Sequence, residues 1–169
     1  LMLASTLFIP ATALTYPVYN LINRLGIYNT RSALILIYSC SGIAVSFFVI
    51  KSYYDSIPRE MEDAARIDGC SYAQTWWYVI FPIARPGILT AAVLAFLNNW
   101  NEYYWASLVL IDRERLTVPA LLSTFTTAFR TNYNGLFSAM VVIILPPIIL
   151  YAVFNKFFVE ALTGGAVKG

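Results

Sequence analysis

A chain of 169 residues that is 59% hydrophobic and 12% charged has more apolar surface than a soluble domain of that size can bury, which places it in a bilayer. Its net charge is only +2 and its basic residues are scattered, so there is no footprint for nucleic acid. Histidine is absent and the two cysteines, Cys40 and Cys70, form no framework, which removes the commonest general base, a His/Cys metal set and a disulfide scaffold.

Residues 1–23 carry no charge and are long enough to cross a hydrocarbon core of about 30 Å. They are expected to form a first membrane helix, kinked at Pro10 and Pro17. A short connection containing Gly26, Asn29 and Thr30 leads to a second uncharged run, residues 32–50, in which Gly42 and Ser46 have the small-xxx-small spacing of close helix packing.

Residues 58–82, PREMEDAARIDGCSYAQTWWYVIFP, are the polar, charge-bearing island between apolar runs. Pro58 suits the first position of a helix, and acids occupy the early turns that follow. Gly69 supplies the left-handed residue that ends such a helix. Ser71 and Gln74 have capping-box spacing, so a second helix is expected to start there and run to Pro82. Two helices meeting at a glycine make a protruding elbow.

Pro86 opens the third expected span, and Gly87, Ala91 and Ala95 put small residues on one ridge of it. Asn98, Asn101, Glu102 and Trp105 fall at i, i+3, i+4 and i+7, one face of a continuous helix. Polar groups at that depth are costly against lipid, so the face looks into the bundle or into water. The competing reading ends the membrane near Asn98, with Trp100, Tyr103, Tyr104 and Trp105 as an aromatic belt. Residues 112–134 are a polar, Thr-rich stretch outside the membrane. Residues 135–154 form the last span, interrupted by Pro146 and Pro147, after which Phe157 and Phe158 between Lys156 and Glu160 read as an interfacial exit. The fold class is therefore an all-α polytopic membrane helix bundle with four predicted transmembrane helices. Four spans put the elbow and the C-terminal tail on one side. The basic residues, six on that side against five opposite, do not say which side it is.

The elbow resembles the loop that identifies the membrane-spanning subunits of bacterial binding-protein-dependent ABC importers: Glu-Ala-Ala, three residues, Gly, nine residues, Ile-x-Leu-Pro. The matching positions are Asp63, Ala64, Ala65, Gly69, Val79, Phe81 and Pro82, with Asp63 for Glu, Val79 for Ile and Phe81 for Leu. Arg66-Ile67-Asp68-Gly69, Trp100-Asn101 and the closing residues 164–169 narrow the likeness to the carbohydrate-uptake branch.

That resemblance implies a domain of six spans, of which residues 1–169, a single membrane domain, would lack the two N-terminal helices: the expectation is either a fragment, which the opening Leu1-Met2 inside an apolar run favours, or two helices supplied from elsewhere. It places the elbow and tail in the cytoplasm of a bacterial inner-membrane protein. It implies a coupling role toward a separate ATPase for Glu62, Asp63, Ala64, Ala65, Arg66, Asp68, Gly69 and Pro82; Asn98, Asn101, Glu102 and Trp105 line the translocation pathway on the one-face reading and sit at the bilayer edge on the competing one. The expected partners are a second membrane subunit, two ATPase subunits, an extracytoplasmic solute-binding protein meeting residues 112–134 unless that stretch is a plain connector, a sugar-class solute and the lipid bilayer. The chain itself holds no cofactor and is a transport subunit rather than an enzyme. It has no GxxxxGK[ST] loop, so ATP is used by the partner ATPases. The alternatives are a permease for a non-sugar solute and an ion-driven carrier. A carrier needs paired intramembrane carboxylates, and only Glu102 is available.

Overall fold

The structure is a computed structural model that describes residues 2–127 and 130–164, with side chains as far as Phe154. The interfacial exit at residues 156–160 and the small-residue tail at 162–169 lie outside the described side chains, and 165–169 outside the described residues. The helices in chain order are α1 (Met2–Thr6), α2 (Thr15–Arg24), α3 (Arg31–Ser41), α4 (Ile43–Asp55), α5 (Arg59–Ile67), α6 (Tyr72–Trp100), α7 (Tyr104–Val109), α8 (Val118–Leu122) and α9 (Tyr133–Gly164). Among the described residues the β structure is one isolated bridge, Thr126 to Thr131, so the all-α expectation holds.

Among the described residues two helices are long and apolar enough to cross a membrane: α6, with 29 residues, and the Tyr133–Phe154 part of α9, with 22. A third joins them if α3 and α4, bent by 41° where they meet, count as one span. The first segment, expected as one kinked helix, is instead divided. α1 stops at Thr6, and Pro10 stands extended (ψ 138°) before a 3-10 turn over Ala11–Leu14. A proline lacks the N–H for the ladder and disfavours helical geometry in the residue before it. Pro17 does no such damage, because it lies in the first turn of α2, where backbone N–H groups have no intrahelical partner. By length and composition, then, two or three stretches among the described residues can cross a membrane, beside the four expected.

Gly42 sits at the bend between α3 and α4, not in a close helix contact; a Cβ there would meet only the Tyr38 carbonyl, 3.9 Å away. A helical glycine is entropically costly, and the ladder yields at it. The proline expectation for α6 is also corrected: the helix neither ends at Pro82 nor restarts at Pro86. A π turn over Trp76–Ile80, with the Phe81 N–H reaching Trp76 O, lies just before Pro82, and such one-turn widenings let a helix absorb a break in its ladder.

One compact unit comprises residues 1–44 and 96–152. Its core is Ile22, Leu34, Ile37, Trp105, Val109 and Leu110, with Ala33, Ala106 and Ala120 between them. Asn29, at φ +57°, ties the α2–α3 turn to the chain after α7. Its N–H donates to Val109 O (3.1 Å), and its Oδ1 accepts from the N–H of Ile111 (2.9 Å) and Asp112 (3.1 Å). Part of the polar stretch expected outside the membrane, residues 112–134, is folded against this core. Thr117 caps α8 by accepting from the Ala120 N–H, and Ala120 is 1% exposed in the core.

The other unit comprises residues 45–95 and those from 153 onward. Here the small ridge of α6 does what its spacing predicts: Gly87 and Ala91 are buried, and a Cβ on Gly87 would lie 2.4 Å from the Tyr53 ring. Only a glycine allows that approach. In the first unit, Val141, Val142, Ile144, Leu145, Ile148 and Ile149 on α9 are about half exposed, as a hydrocarbon surround or further helices require.

Candidate functional site: the elbow and the break after Trp100

The elbow is built by local rules. α5 begins after Pro58, which is extended (ψ 136°), and Glu60 and Glu62 occupy its first turn, where carboxylates favour the positive end of the helix dipole. It ends in a full Schellman motif: the Cys70 N–H donates to Ala65 O and the Gly69 N–H to Arg66 O, both at 3.0 Å, with Gly69 at φ +79°. A Cβ on Gly69 would meet nothing within 4 Å, so the demand for glycine comes from backbone conformation alone. The capping box is present: the Ser71 N–H donates to Gln74 Oε1 (2.8 Å), and the Gln74 N–H donates to Ser71 Oγ (3.4 Å). With Ala65 and Thr75 buried beside the joint, both helix ends are satisfied and held.

The predicted coupling residues separate by side. Asp63, Ala64, Arg66 and Asp68 are exposed, and among the described residues none of the three charged ones makes an ion pair. Ile67 beside them is 87% exposed, a large apolar side chain on an otherwise charged surface. Glu62 turns back instead and accepts from the Tyr54 hydroxyl (3.1 Å). Ala65 is buried, and Pro82 lies within α6 rather than at the elbow's end. Tyr54, Asp55, Arg59, Glu62, Asp63 and Arg66 line an open cleft of about 670 Å³.

The second set does not form one helical face. α6 ends at Trp100, and α7 starts only at Tyr104, so the i, i+3, i+4, i+7 relation fails at Asn101. The reason is Glu102. Its Oε1 accepts from the Trp105 N–H (2.7 Å), and its Oε2 accepts from the Ala106 N–H (3.1 Å) and the Tyr38 hydroxyl (2.8 Å). The carboxylate thus starts a new helix by taking its first amides and ties that start to α3. Trp105 is 7% exposed in the core. Asn98 and Asn101 are exposed, and the Asn101 amide reaches back to Leu97 O (2.9 Å). The Trp100 indole stacks near-parallel on Phe96 and donates to Ile143 O on α9 (2.9 Å). Sequence reasoning missed Tyr38, Trp100 and Ile143 as partners. Pro147, four residues beyond Ile143, was the available signal, because a helical proline leaves the carbonyl four residues back without its amide.

The family described as binding-protein-dependent transport system inner membrane component matches residues 2–164. The chain belongs to this family. The chain is 37% identical over 163 residues to the arabinooligosaccharides transport system permease protein of Halalkalibacterium halodurans, covering 96% of the chain and 58% of the relative. It is 31% identical over 162 residues to the trehalose transport system permease protein of Mycobacterium tuberculosis, covering 95% and 59%. Among solved structures, a chain of a bacterial ABC transporter involved in the import of the acidic polysaccharide alginate superposes with a TM-score of 0.72 at 26% identity, over 93% of this component and 60% of that chain. The component spans somewhat more than half the length of these relatives. Family and apolar helices together make it a multi-pass membrane protein.

Proposed function

We propose that this component forms part of the translocation pathway of an ATP-driven importer for a sugar or related polyol in a bacterial inner membrane. The observation that carries the reading is the elbow. It is closed at its joint by two satisfied caps, one ending α5 and one starting α6, and presents Asp63, Ala64, Arg66, Ile67 and Asp68 outward, the charged ones without an ion pair among the described residues. A short stiff helix with free charges and one exposed isoleucine is a docking element for a partner, with Ala64 allowing close approach. We assign that partner as one of two ATPase subunits, and the elbow's side as cytoplasmic. Buried Ala65 and Tyr54-bound Glu62 hold the helix from behind.

ATP acts on this component only through differential affinity: a swing from 1:99 to 99:1 between two membrane states needs about 5.5 kcal/mol. A rigid elbow transmits such a difference, whereas a frayed one dissipates it. Asn98 and Asn101, exposed beside the break, are the groups we assign to the solute, since amides exchange hydrogen bonds with sugar hydroxyls. Glu102 and Trp105 stand behind them and shape the break. A second membrane subunit completes the pathway, and a solute-binding protein meets the exposed parts of residues 112–134, which include Arg113 and Arg130. The names of the relatives, permeases for arabinooligosaccharides and trehalose, support the sugar class.

The test is reconstitution of the full-length permease with the partner subunits encoded beside it, followed by uptake of labelled trehalose and arabinotriose. ATP-dependent uptake, with a crosslink from Ala64→Cys to the ATPase, is the expected result. Uptake driven by an ion gradient without nucleotide would overturn it.

A further inference from the structure

Pro146 and Pro147 lie inside α9 without ending it, although neither can donate to the carbonyl four residues back. The carbonyls released are those of Val142 and Ile143. A helix in hydrocarbon tolerates this where another group supplies the missing donor. At Ile143 the donor is visible: the Trp100 indole Nε1–H, 2.9 Å from the carbonyl oxygen, 43 residues away in sequence and at the last residue of α6. The ring is held for the purpose, stacked on Phe96 at 5.5 Å with 17° between the planes. One residue later the chain leaves the helix, and Asn101 stands exposed.

We propose that Trp100 is a positioning residue that stands in for the amide Pro147 lacks, clasping the proline-broken span to the end of α6 and thereby setting the place of Asn101. Trp100 and Pro147 are one device. Proline opens an acceptor in the middle of a hydrophobic helix, and tryptophan, a donor with a large apolar body, fills it. Phenylalanine at position 100 keeps the ring and loses the donor. Alanine at position 147 restores an in-helix donor and makes the indole dispensable for satisfying the carbonyl, though not for the clasp. The inference does not depend on which solute is carried.

The experiment is a double-mutant cycle in the assembled transporter containing the full-length permease, read by melting temperature. A second readout is the rate at which Asn101→Cys, in a background with Cys40→Ser and Cys70→Ser, reacts with a charged, membrane-impermeant thiosulfonate. Trp100→Phe is expected to lower the melting temperature by about 2–4 °C. Pro147→Ala alone stays near wild type, and the double variant regains most of the loss. The thiol rate shifts about three-fold or more in Trp100→Phe and stays shifted in the double variant, because the carbonyl is satisfied again but the clasp is not. Additive melting losses overturn the pairing, and an unchanged thiol rate in Trp100→Phe overturns the positioning role. Should Trp100→Phe fail to assemble, assembly of the double variant supports the pairing. Failure of the double variant while Pro147→Ala assembles overturns it, as does failure of Pro147→Ala alone.

Discussion

Glu102 accepts three hydrogen bonds through two oxygens, so its substitutions form a graded series. Tyr38→Phe removes one bond to a half-buried carboxylate and should cost about 1 kcal/mol, near the lower end for bonds to charged groups because the site is partly open. Glu102→Gln keeps an oxygen for the Trp105 N–H and can donate to the Tyr38 oxygen, but its amide nitrogen now faces the Ala106 N–H, leaving one donor without an acceptor. That is about 1–3 kcal/mol. Glu102→Ala removes all three, so the loss of the helix start, about 0.5–2 kcal/mol, adds to that of the Tyr38 bond. Melting of the assembled transporter should fall in the order wild type, Tyr38→Phe, Glu102→Ala, and a Tyr38→Phe/Glu102→Ala double variant should melt no lower than Glu102→Ala alone, since the two share one bond. An additive double variant, or a Glu102→Ala protein that melts like wild type, would refute the capping role and return Glu102 to the water-filled pathway.

Gly69→Val places a β-branched residue at φ +79° and should cost more than the roughly 1–2 kcal/mol of an ordinary left-handed residue, visible as lost ATPase co-purification at unchanged membrane levels. Gly87→Ala puts a methyl group 2.4 Å from the Tyr53 ring and should destabilise by about 1–3 kcal/mol, and pairing it with Tyr53→Ala should recover much of the loss in a melting assay. Asn101→Leu should reduce uptake of the transported sugar about two- to ten-fold with assembly intact, the value of one hydrogen bond to a hydroxyl. Loss of assembly with uptake would make that amide structural.

What the sequence made legible was local chemistry. The elbow's stop at Gly69 and its restart at Ser71 depend on residues within five positions, and both motifs stand where the spacing put them. The small ridge at Gly87 was readable for the same reason. Prolines misled in both directions, because their effect depends on what surrounds them. Pro10 divides a run expected to stay whole, Pro82 and Pro86 sit in a helix expected to be two, and the π turn that absorbs the fault has no composition of its own. The polar face from Asn98 to Trp105 failed because periodicity presumes a continuous helix. A glutamate whose partners are two amides and a tyrosine 64 residues away makes a break that no window can show. The fold of residues 112–122 was missed although Thr117 and Pro119 spell a helix start, since polarity outweighed the cap.

Asn29 restricts its own replacement. The backbone there is left-handed, which rejects most side chains, and the carbonyl-type oxygen of the side chain takes two amides, which rejects glycine. Only asparagine and aspartate meet both conditions at once. A saturation library at this position, selected for function, should return an alphabet of two letters, on a loop whose neighbours Leu25 and Gly26 are exposed and carry no such double demand.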